Sequence, residues 1–188
     1  MFMKTCILQR HLSVLSTLSL LAATALVASA VEQGGRGQLS SSDYKFATAA
    51  AEGGQLEVDL GNLASQKASN PQVQQFARQM VQDHSKANDQ LKAIATKNDA
   101  TLPVESEKDQ KEMDRLNKLS GAEFDKTYMN LMIRDHKSDL KDFQRESRSS
   151  DNTELRTYAG QTASVIQDHL NMAENIAGQL KNTSTAPK

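Results

Sequence analysis

Apolar residues recur at steps of three and four along four long stretches of the chain, at about 43–68, 71–97, 121–149 and 151–181. That spacing places them on one face of an α-helix, which has 3.6 residues per turn. No single helix can bury its apolar face alone, whereas four helices can bury their faces against one another. The pattern therefore predicts an all-α fold, a four-helix bundle in up-down-up-down order, with a short charged helix at about 105–118 before the third long helix.

The predicted helix boundaries carry residues that commonly start helices. Asn70 can cap the second helix, and Pro71 suits its first turn. The segment 120–123 has the spacing of a capping box at the start of the third long helix, and the segment 151–154 repeats it before the fourth. These breaks argue against the alternative of one extended coiled coil.

The amino-terminal residues 1–30 have the three parts of a secretory signal peptide. Lys4 and Arg10 supply positive charge, an uncharged apolar stretch follows, and the small residues at 28–30 are those that a signal peptidase reads. We expect cleavage after Ala30 and export to the periplasm or outer membrane, or secretion. The alternative is an uncleaved membrane anchor, because a span takes ~20 apolar residues and this stretch is nearly long enough.

Cleavage leaves a Gly- and Ser-rich flexible linker at 31–42, a bundle domain at 43–181 and a disordered tail at 182–188. Loss of Lys4 and Arg10 changes the 22 basic and 23 acidic residues of the chain to 20 and 23, a net charge of −3. Because these charges are mixed and form no basic patch, nucleic acid is not an expected partner. The mature chain has no cysteine, which excludes a disulfide or thiolate site, and we expect no transmembrane segment after cleavage.

The three histidines of the mature chain each follow an aspartate and fall on the apolar face of a different long helix. The pairs are Asp83-His84, Asp135-His136 and Asp168-His169. The remaining long helix has no histidine, but it places Glu57 on its inward face. With a rise of ~1.5 Å per residue, three of these four groups share one level at mid-bundle, and His169 is expected about one turn lower.

Buried imidazoles and carboxylates without partners are costly, so a cluster of them needs an explanation. Gathered at one level, three imidazoles and a carboxylate can bind one transition-metal ion, and zinc, iron and copper all accept such ligands. The predicted ligands are Glu57, His84, His136 and His169. The adjacent aspartates lie ~100° around each helix, where a carboxylate can orient a neighbouring imidazole as a hydrogen-bond acceptor. The predicted acceptors are Asp83, Asp135 and Asp168.

A metal-free interpretation of the same residues stays open, namely a polar network that fixes how the helices pack. The glycines of the first helix bear on both interpretations. Gly53, Gly54 and Gly61 each lower helix stability by ~1 kcal/mol relative to alanine. They indicate either tight helix packing or the close approach of a ligand beside Glu57.

At these residues the chain resembles a bacterial family of exported four-helix proteins. The matching segments are AAEGGQLEVDLGNLA at 50–64, FARQMVQDH at 76–84, LSGAEFD at 119–125, His136 and the pair at 169–170. The family is catalogued as a domain of unknown function (four-one-four-two), and its members are often labelled as outer membrane proteins. The resemblance covers about 43–180 and implies a ferritin-like bundle in the cell envelope, without implying an activity.

The chain departs from the di-iron ferritin pattern, in which a glutamate stands three residues before a histidine on two helices. The residues at those positions are Val81, Ile133 and Ile166. A carboxylate-bridged di-iron oxidase is therefore not expected, and any metal site is expected to be mononuclear or vestigial. No serine lies in a nucleophile motif, so no catalytic residue is predicted.

Two functions remain. The first is an exported ferritin-like bundle that binds a transition metal through the His/Glu cluster, in envelope metal handling or stress defence. The second is a non-catalytic structural or interaction bundle with a metal-free polar core. Its partner would be another envelope protein or a second copy of the chain. A hydrolytic enzyme is a distant third.

Overall fold

The structure is a computed structural model that describes residues 38–103 and 107–184. Its helices, with no strand among the described residues, are α1 (Ser41–Lys67), α2 (Pro71–Lys97), α3 (Glu107–Asn117), α4 (Gly121–Ser149) and α5 (Thr153–Ser184). The predicted fold class is confirmed, an all-α bundle of four long helices with a short helix before the third. The signal peptide predicted at 1–30 and most of the predicted linker lie outside the described residues.

Local sequence explains how the helices start, with two differences from expectation. Asn70 caps α2 as predicted, because its side-chain oxygen accepts a hydrogen bond from the amide two residues later (2.8 Å). Ser120 makes no side-chain cap to α4, where Gly121 has a left-handed φ of 58° and leads the chain into the helix. The cap of α5 is Asn152, one residue later than predicted, and it accepts from the amide of Leu155 (2.9 Å).

The helix directions differ from the expected up-down-up-down order. Asp125 near the start of α4 accepts a hydrogen bond from the amide of Asn70 at the start of α2 (2.9 Å), so these two helices run the same way. At the opposite end, Asn152 before α5 donates to Asn98 just after α2 (3.0 Å). The order is therefore up-down-down-up, because the α3 segment carries the chain back along the bundle between α2 and α4.

The long helices form two antiparallel hairpins, α1 with α2 and α4 with α5, which pack mainly through α2 and α5. Two apolar clusters fill the interior. One lies at the α1–α2 end, with Phe76 and Phe124, and the other at the α4–α5 end, with Leu91 and Phe143. Among neighbouring long helices, α1 and α4 contact each other least, and α3 covers their groove near the α1–α2 end, where Leu116 is buried. None of the described helices has the length and hydropathy needed to cross a membrane.

Candidate metal centre

A layer of polar side chains separates the two apolar clusters at the middle of the bundle. Each long helix contributes one of the four predicted ligands, and the structure brings all four together. Glu57 and His84 are 6% and 5% exposed, whereas His136 and His169 are fully buried. The ring nitrogens of His84 and His169 approach to 3.3 Å, so His169 lies at the level of the other three rather than one turn lower.

Four of these polar groups form a chain of contacts across three helices. His169 Nε2 lies 2.9 Å from Asp83 Oδ2, and His169 Nδ1 lies 3.3 Å from His84 Nε2. His84 Nδ1 in turn lies 2.9 Å from Glu57 Oε2. The carboxylate of Asp83 holds the proton of His169 on Nε2, which leaves the Nδ1 lone pair directed at His84. His84 can then donate from both nitrogens, to His169 on one side and to Glu57 on the other.

His136 is the imidazole of the polar layer that takes no part in this series of contacts. Its Nδ1 lies 3.2 Å from Glu57 Oε1, but the contact lacks hydrogen-bond geometry, and neither ring nitrogen nor Glu57 Oε1 has a hydrogen-bond partner. A buried polar group in this state loses its hydration without compensation, at a cost of about 1–3 kcal/mol. Such exceptions are rare in folded proteins and call for a physical explanation.

The electrostatics of the layer favour a charged pair and two neutral imidazoles. Burial by itself raises the pKa of Glu57, but the three imidazoles outweigh burial and lower this pKa to about 2. Burial lowers the pKa of His84, yet the Glu57 carboxylate outweighs it and raises that pKa above the ordinary value. Burial lowers the pKa of His136 to about 4 and also lowers the pKa of His169. Both of these imidazoles are therefore neutral at neutral pH, the form that binds metals.

The three predicted acceptor aspartates have different surroundings. Asp83 on α2 contacts His169 of α5, across the interface through which the two hairpins pack. Asp135 instead accepts a hydrogen bond from the exposed Arg134 (2.9 Å). Asp168 is exposed to solvent. Asp83 has the geometry expected for orienting an imidazole of the cluster.

Asp139 is a carboxylate of the centre that the sequence reasoning missed. Single ligand atoms of Glu57, His136 and Asp139 lie within 4.8 Å of one another, as do those of the three histidines. Burial, reinforced by the charges of Glu57 and Asp135, raises the pKa of Asp139 to about 8. The available signal was the His-x-x-Asp spacing on α4, which puts His136 and Asp139 on one helix face. The sequence analysis had looked for a carboxylate three residues before each histidine, not after it.

The donor set suits a transition-metal ion. Imidazole nitrogens and carboxylate oxygens bind zinc, copper and iron at about 2.0–2.2 Å. Two ligand atoms bound at that distance to a tetrahedral ion lie about 3.3–3.6 Å from each other. The ring nitrogens and carboxylate oxygens here lie 2.9–3.3 Å apart, so a small outward shift of the side chains would give them that spacing. The Glu57 carboxylate favours the protonated form of His84, so a metal ion that binds His84 would displace that proton.

The chain belongs to the family described as "Domain of unknown function (DUF4142)", whose model matches residues 28–176. This finding confirms the family resemblance that the sequence motifs indicated. Among curated proteins, none matches the sequence.

Solved structures with the same fold are more distant in sequence. A DUF305 fragment from Deinococcus radiodurans aligns with a TM-score of 0.67 at 14% identity, covering 76% of this chain and 99% of that chain. A DUF305 protein from Streptomyces coelicolor, named as secreted, aligns with a TM-score of 0.64 at 14% identity, covering 74% and 94%. CopM in its Cu(II)-bound form aligns with a TM-score of 0.56 at 17% identity, covering 74% and 93%, and a Ag-bound form of CopM aligns similarly. At these identities the similarity shows the fold alone.

Proposed function

We propose that this protein binds one transition-metal ion at mid-bundle and serves in metal handling in the cell envelope. The ligands are Glu57, His84, His136 and His169. The observation that carries the proposal is His136, a fully buried neutral imidazole whose two nitrogens lack hydrogen bonds beside an unpaired oxygen of Glu57. A cation between these two groups would satisfy both, and the carboxylate would offset part of its charge.

Further support comes from the orientation of His169. Metal-binding histidines commonly donate their second ring proton to a carboxylate, which fixes the tautomer and makes the ligand nitrogen more basic. Asp83 stands in that position, 2.9 Å from His169 Nε2, and the opposite nitrogen faces the cluster. This contact supports the assignment of His169 as a ligand and of Asp83 as its outer acceptor.

Copper is the first ion to test, because the fold neighbour CopM has Cu(II)-bound and Ag-bound forms. Zinc and iron also accept these ligands, and Cu²⁺ binds most nitrogen and oxygen sites tightest, so affinity alone does not identify the native metal. Export through a cleaved signal peptide at 1–30 is part of the proposal, and the secreted fold neighbour supports it.

A metal-free polar core is the second candidate function, and one observation favours it. The hydrogen-bonded chain from Asp83 through His169 and His84 to Glu57 needs no ion to hold together. In that case the layer fixes the register of the helices, and the bundle acts by binding another envelope protein or a second copy of itself.

Elemental analysis of the mature protein, purified from its native compartment, separates the two functions. We expect about one metal ion per chain in the wild type and loss of the ion in His84→Ala, His136→Ala and His169→Ala. Glu57→Gln keeps the shape of the side chain but removes its charge, so it should also lower occupancy. Asp168→Asn, at the exposed aspartate that precedes His169, is the matched control and should retain the ion.

A second comparison tests the role of Asp83. Asp83→Asn should weaken metal affinity about 10–100-fold because it removes the outer acceptor of a ligand histidine. Asp168→Asn should leave affinity unchanged. If the wild type holds no metal, and Cu²⁺, Zn²⁺, Fe²⁺ and Mn²⁺ all leave its melting temperature unchanged, the metal centre is wrong and the structural function stands.

A further inference from the structure

A small cavity lies beside the centre, lined by residues of all four long helices. Its volume is about 30 Å³, room for one or two water molecules, and its lining includes Glu57, His84 and Asp139. Glu57 is 6% exposed, and its Oε1 has no hydrogen-bond partner. The cavity therefore brings an unsatisfied buried carboxylate oxygen next to a space that small polar species can occupy.

The lining of the cavity reaches the groove between α1 and α4. Toward α2, Asn88 packs closely on Gly54, since a Cβ on Gly54 would lie 2.2 Å from Asn88 Oδ1. On the α1 and α4 sides, Gly53 and Asp139 are partly exposed and Ala49 is exposed. The other half of the same groove is covered by α3. An ion that approaches the centre would pass between Gly53 and Asp139.

Gly53 keeps this approach wide. A Cβ at this position would meet no atom within 4 Å, so packing does not require a glycine here. Glycine inside a helix is about 1 kcal/mol less stable than alanine, so the position carries a stability cost that close packing does not explain. An open passage beside Glu57 explains it.

Two overlapping sets of ligands lie along this path. The outer position consists of Glu57, His136 and Asp139, and the inner position consists of the three histidines. His136 belongs to both, and Glu57 contacts both His84 and His136 (2.9 and 3.2 Å). An ion can therefore move from the outer to the inner position by exchanging ligands one at a time, without a fully unliganded intermediate.

We propose that the metal ion enters and leaves through the α1–α4 groove and that Asp139 is the first protein ligand it meets. This inference rests on the proposed function and adds a route and an outer metal position to it. Asp139 releases its proton to solvent when its carboxylate binds the arriving cation, and an imidazole and a second carboxylate behind it draw the ion inward.

The test measures the rates of Cu²⁺ loading into the metal-free mature protein by stopped-flow absorbance, and of Cu²⁺ release to a chelator. Gly53→Leu fills the passage, and Gly178→Leu is its control, since a Cβ at Gly178 in α5 also meets no atom within 4 Å. Asp139→Asn removes the outer carboxylate, and Asp142→Asn, an exposed position on the same helix, is its control. Circular dichroism checks that each variant is folded, and Gly53→Ala replaces Gly53→Leu if the larger side chain prevents folding.

We expect loading to slow at least about tenfold in Gly53→Leu and by about five- to tenfold in Asp139→Asn, with both controls near the wild-type rate. Because the same path serves entry and exit, release from Gly53→Leu should slow by the same factor, with affinity and stoichiometry unchanged. Loading rates within twofold of wild type in both test variants would overturn the inference while leaving the metal centre intact. A wild type that binds no Cu²⁺ at equilibrium would instead remove the proposed function itself.

Discussion

The centre of the bundle and its two ends all bury charged side chains, but they satisfy them differently. At the α1–α2 end, Asp125 is 1% exposed and has partners on both oxygens. Its Oδ1 accepts from the amide of Ser69 (3.0 Å), and its Oδ2 accepts from the Ser69 hydroxyl and the amide of Asn70 (2.5 and 2.9 Å). At the α4–α5 end, Asp43 accepts from the amide of Asn152 (3.3 Å). Both carboxylates use amides that a helix start leaves without helical partners.

The centre has no such amides to use. In the middle of a helix every backbone amide already bonds to the carbonyl four residues earlier, so Glu57 can be satisfied by side chains alone. Its neighbours in the layer are three imidazoles, of which His84 makes a hydrogen-bonded contact and His136 does not. At the α4–α5 end Glu146 Oε1 also lacks a hydrogen-bond partner, but burial and Asp43 raise the pKa of Glu146 to about 7, which favours a neutral acid that needs no cation. The two aspartates at the ends are satisfied by helix-start amides, whereas the centre leaves a neutral imidazole and an oxygen of an ionised carboxylate without partners. That difference is why we assign a ligand to the centre and none to the ends.

The largest effect should come from adding metal. At a free metal concentration of 1,000 times the dissociation constant, the free energy of unfolding of the wild type should rise by about 4 kcal/mol, because the ion binds the native state only. The gain should be absent in His136→Ala and present in Asp125→Ala. Thermal unfolding followed by circular dichroism measures this gain in stability. An equal gain in His136→Ala and the wild type would contradict the assignment of a metal ion to the centre of the bundle.

The same gain should shrink as pH falls. Protons compete with the ion for His84, whose pKa is raised, and then for His169 and His136, whose pKa values are lowered, the latter to about 4. Because the pKa of His84 is raised, the increment in melting temperature should begin to decline above the ordinary histidine pKa of about 6.5, fall further as His169 gains its proton below that value, and vanish near pH 4.

Asp125→Ala tests whether the buried carboxylate at the α1–α2 end stabilises the fold by accepting hydrogen bonds from the start of α2. It should lower the free energy of unfolding by about 1–3 kcal/mol, with or without metal, because the amides at the start of α2 lose their acceptor. Glu123→Ala, exposed on the same turn of α4, is the control and should change stability by less than about 0.5 kcal/mol. Equal losses in the two variants, measured by urea unfolding, would remove the distinction between the buried carboxylate and its surface neighbour.

Glu146 at the α4–α5 end should show a pH dependence of its own. Burial and the neighbouring Asp43 raise its pKa to about 7, above the ordinary 4.5. The native state therefore favours the protonated acid, and this contribution to stability is present below pH 4.5 and lost as pH rises to 7. Glu146→Gln mimics the protonated acid, so it should stabilise the protein by about 1–2 kcal/mol at pH 8 and have no effect at pH 4. Urea unfolding at both pH values measures the effect. An equal change in the free energy of unfolding at both would exclude the titration of Glu146 as its cause.

The smallest effect contrasts two glycines of α1. Gly53→Ala should raise the free energy of unfolding by about 1 kcal/mol, because the added Cβ enters open space. Gly61→Ala should lower it, because its Cβ would lie 2.8 Å from Val81 Cγ2 and 3.0 Å from the carbonyl of Ala77. If both variants were stabilised, α1 and α2 would pack less closely than the structure shows.

The sequence analysis predicted that the four central residues lie near mid-bundle, although it expected His169 one turn lower and the wrong direction for α4. His136 lies 15 residues from Gly121 and 13 from Ser149, so its height is about 22 Å from one end and about 20 Å from the other. A residue near the middle of a helix keeps its level whichever way the helix runs. The helix pattern therefore predicted which residues meet, whereas the direction depended on the α3 segment, whose path has no periodic signal.

The spacing of apolar residues could not predict which side chains contact each other across helices. The three Asp-His pairs are alike in sequence, yet Asp83 faces α5 because α2 and α5 pack together, and Asp135 pairs with Arg134 at the surface. Only its spacing of three residues from His136 separates Asp139 in sequence from the half-exposed Asp142 three residues later. Its place in the cavity depends on how close α1 comes to α4.

The sequence by itself determined the helices, the apolar faces and the four polar residues that share the mid-bundle level, because these follow from local spacing and from the cost of burying a polar group alone. The tertiary structure alone decided the up-down-down-up order, the choice of Asp83 among three similar aspartates, the isolation of His136 and the open groove beside Gly53. Each of these depends on the distance between two helices, and residues that are far apart along the chain set that distance only when the whole bundle packs.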